Sequence, residues 1–427
     1  MKINQLELFN FRCFERYSLK FADRFTLLIG DNGSGKTAIL DSLTIAASAF
    51  LLGIDEIKPT DKRTMTVDDI RYKELRMGQS PIKELVVMQS IIHAKGIINN
   101  QNIDWTISDH LGKDSIEKVS DLVKSLTSEK TNQNTLFPVI AYYGTGRLWI
   151  KTGNEIDTLP PSSRLRGYEG CLNTASNLEK LFRWFKTQEL AALQKGERRH
   201  VLEAVREAIV SMISDAQKVF WDIDLDELVA EVTIRGKLQT LPFRLLSDGY
   251  RNLIGMAADI AYRMATLNPQ LETNVIKQTE GIVLIDEIDL HLHPNWQGVV
   301  VDRLLNTFPK VQFVASSHSP FIIQSLYHRK DCFLWDLEKN QALEITSKSI
   351  EDISEDQQGV EVPQQSRRFL AMEKAAENYY RVLKQIPSAR EDEKRVLKQR
   401  LDELLMPFSD DPAFQAFLKM ERLAAEA

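Results

Sequence analysis

The chain has 427 residues, 43% of them hydrophobic and 27% charged, with a formal net charge of -6 and a pI near 5.8. That is enough apolar material for two or three domains, and the acidic balance argues against a protein coated throughout in nucleic acid, although a local basic surface fits inside an acidic average. Cys13, Cys171 and Cys332 form no CxxC pair, no apolar run approaches the roughly 18 residues of a bilayer span, and no signal peptide opens the chain, so a cytoplasmic protein without a membrane partner is expected.

In chain order, Phe25–Ile29 reads as a short buried strand and Ala38–Ala47 as a helix. Between them, Gly30-Asp-Asn-Gly-Ser-Gly-Lys36-Thr37 fits GxxxxGK[ST] in the context that pattern requires. Its glycines let successive amides and the positive helix end surround phosphate, so Asn32, Gly33, Gly35, Lys36 and Thr37 are the expected ATP contacts, with Thr37 also a ligand of Mg2+. The stretch from about 55 to 240 is mixed: Glu84–Met88 and Pro138–Tyr142 read as strands, Asn177–Gln194 and Glu197–Ile213 as amphipathic helices. On these helices Leu178, Leu181, Phe182, Phe185 and Leu190 recur at packing spacing, whereas Lys186, Lys195, Arg198 and Arg199 read as a solvated face rather than DNA contacts.

Further on, Ser247 stands as an N-cap before the apolar helix Leu253–Met264. The strand Gly281–Ile285 runs into Asp286, expected on Mg2+, and Glu287, expected to polarise the attacking water. Asp289, His291 and His293 follow within a few residues and would make a metal centre if an extended stretch set both imidazoles on one side. With Pro294 and Trp296 next and no further His or Cys nearby, a loop packed against a neighbouring nucleotide site is the better expectation. The strand Val311–Ala315 leads to Ser316-Ser-His-Ser-Pro320, which puts His318 at a strand's C-terminal end, where open parallel sheets bind ligands. From about 350 the chain turns to charged helix; Phe369, Met372, Ala376 and Tyr380 form one stripe and Phe414, Phe417 and Leu418 another, expected to dock a partner rather than fold back on the head.

The order Gly30–Thr37, Leu246–Asn252, Leu284–Pro294, Ser316–Pro320 resembles the ABC-type ATPase heads of the SMC, RecF and OLD-like class, and Leu6–Phe14 is similar to the NFRxF opening of that group. The resemblance implies an α/β fold, an ABC-type P-loop head with a mixed sheet, a short helical insertion and an α-helical C-terminal region. It places head lobes at 1–150 and 241–345, an insertion with return strands at 151–240 and a partner-binding tail at 346–427. It also implies a homodimer or higher homo-oligomer with nucleotide sandwiched between heads. Lys36, Thr37, Asp286, Glu287 and His318 would come from one subunit and Ser247 and Gly249 from the other, with Asp289 crossing the interface and Arg12 approaching the phosphates. No glutamine stands clearly at the Q-loop; Tyr142–Arg147 occupies about that place. The 210 positions from Thr37 to Ser247 are too few for a long SMC arm, and the tail lacks the acidic constellation of a TOPRIM nuclease. Within the class the chain looks most like the compact ATPases of bacterial antiphage loci, those of Septu systems and their retron-linked versions. Such ATPases work with a separately encoded HNH nuclease, and DNA or RNA, including retron multicopy DNA, is a further candidate partner. The alternatives are a RecF-like clamp on duplex DNA and a nucleotide-controlled scaffold of a toxin system.

Overall fold

The computed structural model describes residues 1–77, 80–85, 89–109, 114–128, 134–147, 159–160, 163–173, 178–213, 215–327, 329–344, 349–356, 358, 367–384, 391–406, 414, 416 and 418–420. Contacts divide the chain into Met1–Ile350 and Glu351–Ala427, and the expected insertion at 151–240 falls within the first unit.

That unit opens with β1 (Lys2–Phe11) and β2 (Phe14–Lys20), in which buried and open positions roughly alternate, as in strands with one solvated face. Then come β3 (Phe25–Ile29), α1 (Lys36–Leu52), β4 (Tyr72–Met77), β5 (Ser80–Leu85), β6 (Ile91–Ile98), β7 (Gln101–Ser108), α2 (Asp114–Thr127), β8 (Val139–Tyr143), α3 (Leu178–Lys195) and α4 (His200–Met212). They are followed by β9 (Ala216–Asp222), β10 (Glu227–Ile234), β11 (Lys237–Pro242), α5 (Asp248–Leu267), α6 (Val275–Gln278), β12 (Gly281–Ile285), α7 (Pro294–Thr307), β13 (Val311–Ser316), α8 (Pro320–Ser325), β14 (Cys332–Asp336) and β15 (Gln341–Leu343). Of the strand expected at Glu84–Met88, the first two residues end β5 and the rest lie outside the described residues.

A six-stranded sheet in the order β15-β14-β3-β13-β12-β8 is parallel apart from β15. Strands β3, β13, β12 and β8 are buried at every position, which explains why they read as unbroken apolar runs. Helix α1 lies under this sheet and is buried almost all round. The four-stranded sheet β2-β1-β6-β7 is stitched to the first by the buried Gln312, whose amide donates to Ile3 O (2.8 Å) and Ala22 O (2.9 Å) and accepts from Ile3 N (2.9 Å). Because Ile285 pairs with both Tyr143 and Ala315, and Leu28 with Ser316, the parallel strands end at one edge. Every motif that follows these strands is thereby gathered there.

The second unit contains α10 (Arg367–Leu383) and α11 (Glu391–Leu405), counted after α9 (Ile350–Asp356) at the boundary. Tyr379, Val382, Leu401 and Leu418 form its core, with Ala376, Tyr380, Leu397, Leu404 and Phe414 packed around them. The two apolar stripes therefore meet each other, an outcome the choice between partner docking and burial on the head did not include. The side chains of Phe369 and Phe417 lie outside the described residues.

Candidate nucleotide site

Between β3 and α1 the chain turns at Gly30, Gly33 and Gly35, the last two with φ of 88° and 97°. At Gly35 the need for glycine is double, since a Cβ would also lie 2.5 Å from the Phe14 ring and 2.8 Å from Cys13 Sγ. The β1–β2 turn thus sits directly against the loop. Lys36, 8% exposed, donates from Nζ to Gly30 O (2.8 Å) and Asp31 O (2.9 Å), so its ammonium is held within the loop's curve. Burial lowers its pKa, opposed by Asp286 and Asp31. Asp31 N donates to Glu338 Oε1 (2.6 Å), which braces the loop from the β14–β15 turn. Asn32 and Gly33 are exposed on the loop's outer side.

Thr37 Oγ1 donates to Asp286 Oδ2 at 2.9 Å, joining the loop to the acidic strand end across 249 positions of sequence. Two oxygens sharing an octahedral Mg2+ at about 2.0–2.1 Å stand roughly 2.9 Å apart, so this donor pair fits that ion. The other carboxylate oxygen of Asp286 accepts from Ser316 Oγ (2.5 Å), and the same hydroxyl accepts from Glu287 N (2.8 Å). Glu287 has φ 48°, an uncommon conformation of the kind stored at functional sites, and the residue is half-buried. Ser317 Oγ donates to Asp289 Oδ1 (2.5 Å) and accepts from Ser319 N (2.9 Å), so His318, itself exposed, is carried between two anchored serines.

The stretch after Asp289 is not extended. His291 has φ 61° within a turn, and His293 is the N-cap of α7, its Nδ1 accepting from Asn295 N (3.3 Å). The His293 imidazole thus serves the helix start, and His291 serves the turn through its backbone. Trp296 packs edge-on against Tyr250 with centroids 4.4 Å apart, tying this loop to the start of α5. At Gly249 a Cβ would lie 2.9 Å from His291 O, so the loop backbone rests on that glycine. Ser247 occupies the N-cap of α5 with φ -64°, ψ 158°, but its hydroxyl makes no cap hydrogen bond; it is exposed.

Arg12 adopts φ 47° at the β1–β2 turn and pairs with Asp41 of α1 (2.5 Å) and the buried Asp69 (2.7 Å). Burial alone would lower its pKa, but the two carboxylates raise it.

One residue carries more than its sequence context suggested. Arg147, 3% exposed, follows β8 and donates to Asn252 Oδ1 (2.6 Å), Asp286 O (2.7 Å), Glu287 O (2.7 Å) and Gly144 O (3.2 Å). Asn252 in turn donates to Leu290 O (2.8 Å). Burial lowers the pKa of Arg147 to about 10, against the pull of Asp286, Asp289 and Glu287. The guanidinium fork thus holds the acidic loop's backbone against α5 from the position where no Q-loop glutamine stands. Ser316 and Ser317 are the other unforeseen contributors; the only sequence signal was their doublet beside His318.

The strand order, the glycine loop and the paired Thr37 and Asp286 define a P-loop ATPase head of the ABC type. Residues 25–324 match the family described as "AAA domain, putative AbiEii toxin, Type IV TA system", and the chain belongs to that family. It is 27% identical over 378 residues to "Retron Vc95 probable ATPase" of Vibrio cholerae serotype O1 biovar El Tor, covering 76% of this chain and 72% of that one. To "Retron Ec83 probable ATPase" of Escherichia coli it is 25% identical over 390 residues, 76% and 70% of the two chains. To "Septu protein PtuA" of Bacillus mycoides (strain KBAB4) it is 27% identical over 355 residues, 80% of this chain but 41% of that one. Among solved structures, an SMC head bound to the C-winged helix domain of ScpA aligns with 81% of this chain and 96% of its own at 14% identity and TM-score 0.45. That likeness by itself decides nothing about the fold, which rests on the strand order. No helix among the described residues is long and apolar enough to cross a membrane.

Proposed function

We propose that the chain is the ATPase of a bacterial antiphage system, that it binds and hydrolyses ATP between two copies of itself, and that this cycle regulates a separately encoded HNH-type nuclease. The observation that carries the ATPase reading is the 2.9 Å contact between Thr37 and Asp286, the donor pair a nucleotide-bound Mg2+ requires. Mg2+, when bound, supplies positive charge at the terminal phosphate oxygens. Lys36 and the loop amides hold those phosphates, Glu287 accepts the proton of the attacking water, and His318 contacts the terminal phosphate from the end of β13. Ser247 and Gly249 would act in trans; the exposure of Ser247 and its uncapped hydroxyl support this for the serine, whereas Gly249 is buried against His291 O of its own subunit. Asp289, steadied by Ser317, would face the partner from the same loop, and Arg12, clamped by Asp41 and Asp69 beside the Cys13 and Phe14 that pack on Gly35, would approach the phosphates. The antiphage reading is supported by the names of the retron and Septu relatives, and nucleic acid remains a partner of that same proposal. The test is to purify the product of the native locus and measure complex mass and nuclease activity with ATP, with a non-hydrolysable analogue and with Glu287→Gln. A nuclease that neither co-purifies nor responds to nucleotide refutes the regulatory reading; absence of ATP hydrolysis refutes the enzymatic one.

A further inference from the structure

The four cations of the helical region read as a solvated face separate into two groups. Lys186 pairs with Asp226 at 2.6 Å and Lys195 is exposed at the end of α3, whereas Arg198 and Arg199 line a half-open cavity of about 670 Å3. This cavity lies where α3, the start of α4, the segment Ser163–Arg166 and the C-terminal half of α5 come together. Among the described residues its wall carries six Arg and Lys side chains and one carboxylate, that of Glu272. Some of this charge is balanced from outside: Lys180 pairs with Glu169 and Arg183 with Glu179, both at 3.3 Å. Arg164 donates to the carbonyls of Leu267 (2.7 Å) and Thr135 (2.6 Å) and lies 4.6 Å over the Phe137 ring, contacts that orient its fork. Arg198 and Arg199 have no carboxylate partner among the described residues. Cations gathered in a concave, partly desolvated wall repel one another and are stabilised by an anion that enters.

The wall is not only basic. Trp184, half-buried, stands edge-on to the buried Tyr262 with centroids 5.4 Å apart, which fixes its ring beside the arginines. Guanidinium forks match phosphate oxygens, and a fixed indole offers a face on which a base stacks. A volume of this size falls in the range of small-ligand sites. From Asp248 at the start of α5 to Tyr262 is 14 residues, about 21 Å of helix, so the cavity is remote from the Ser247 end of that helix.

We infer that this cavity is a second phosphate-binding site, for a nucleotide unit taken either as a free nucleotide or as part of a single nucleic-acid strand. The site is independent of the P-loop and of the ATPase reading, and the experiment separates them by removing the P-loop's lysine. In the full-length Lys36→Ala chain, binding of a fluorescently labelled ten-nucleotide single strand is followed by anisotropy, and AMP and ADP are titrated by calorimetry. At least one of these probes should bind, and Arg198→Glu combined with Arg199→Glu should weaken that binding at least tenfold. Trp184→Leu should weaken it about fivefold without altering its salt dependence, since stacking involves no counterion release. Strand binding that mononucleotides at millimolar concentration do not displace identifies the strand as the source; mutual displacement identifies the free nucleotide. Thermal denaturation and the ATPase rate of the double reversal in the Lys36 background check folding, and if it does not fold, Arg199→Ala with the same probes takes its place. The inference is overturned if no probe binds, if charge reversal leaves binding unchanged, or if an oligoglutamate peptide binds as tightly and with the same sensitivity to both variants.

Discussion

Arg147 is the residue whose replacement most directly tests how the acidic loop is held. In Arg147→Met, three short bonds vanish and Asn252 Oδ1, Asp286 O and Glu287 O lose their donor. A buried acceptor left without its donor costs about 1–3 kcal/mol, so the gross loss is roughly 3–9 kcal/mol. Against this, the burial that depresses the Arg147 pKa to about 10 is relieved; at about 1.36 kcal/mol per pH unit, that returns about 3 kcal/mol. The net is a loss near 3 kcal/mol, and at about 2 °C per kcal/mol for a large unit the melting temperature should fall on the order of 5 °C. Arg147→Lys is the sharper probe of function, because the charge stays while a single ammonium cannot span both the α5 and the loop acceptors. The loop backbone at Asp286 and Glu287 then loosens, while Lys36 keeps its anchors at Gly30 O and Asp31 O. Since about 1.4 kcal/mol of lost transition-state stabilisation is tenfold in rate, kcat should fall about tenfold or more with KM for ATP within about threefold. Steady-state ATPase assays with differential scanning calorimetry read both quantities. A Lys variant with wild-type kcat, or one whose KM alone rises, would show that the fork does not position the acidic loop.

Lys36→Ala should abolish ATP binding by calorimetric titration, because the other cation expected at the phosphates, Arg12, is already paired with Asp41 and Asp69 and does not replace the lysine; retained affinity would contradict the loop's assignment. Glu287→Gln should bind ATP normally but hydrolyse it at least about a hundredfold more slowly, and wild-type turnover would shift the base to His318 or Asp289. For the composite site, the exposed Ser247 is a better position than Gly249, where any side chain would press on His291 O within its own subunit. Mixing Lys36→Ala with Ser247→Arg chains should leave at most one intact site per dimer, and full activity from a strictly monomeric preparation would reject the trans arrangement. Removing residues 351–427 should leave a soluble ATPase that no longer retains its nuclease in a pull-down. Removing only 388–427 should be worse for solubility, since it takes Leu401 and Leu418 from the core around Tyr379; retention of the nuclease by the longer deletion would place the docking surface on the head.

The chemistry of the phosphate loop was legible in the sequence because its requirements are local: glycine where φ is positive, a strand before and a helix after, a lysine and a threonine at fixed spacing. The buried strands β3, β12 and β13 were legible for a similar reason, since strands covered on both faces must be apolar throughout. What pattern alone left open was every question of partner choice. The histidines His291 and His293 had the composition of a metal site, and only positive φ and a helix cap assigned them to a turn. Arg198 and Arg199 had the pattern of a solvated face, and only the approach of α5 and the Arg164 segment turned them toward a cavity. Arg147 lies in a stretch without a Q-loop glutamine; its role depends on three acceptors more than 100 positions away in sequence, Asp286 O and Glu287 O brought within 2.7 Å by the parallel order of β8 and β12 and Asn252 Oδ1 by the approach of α5. Periodicity records which face of an element is buried, but a hydrogen bond is decided by which other element arrives there, and that belongs to the tertiary structure alone.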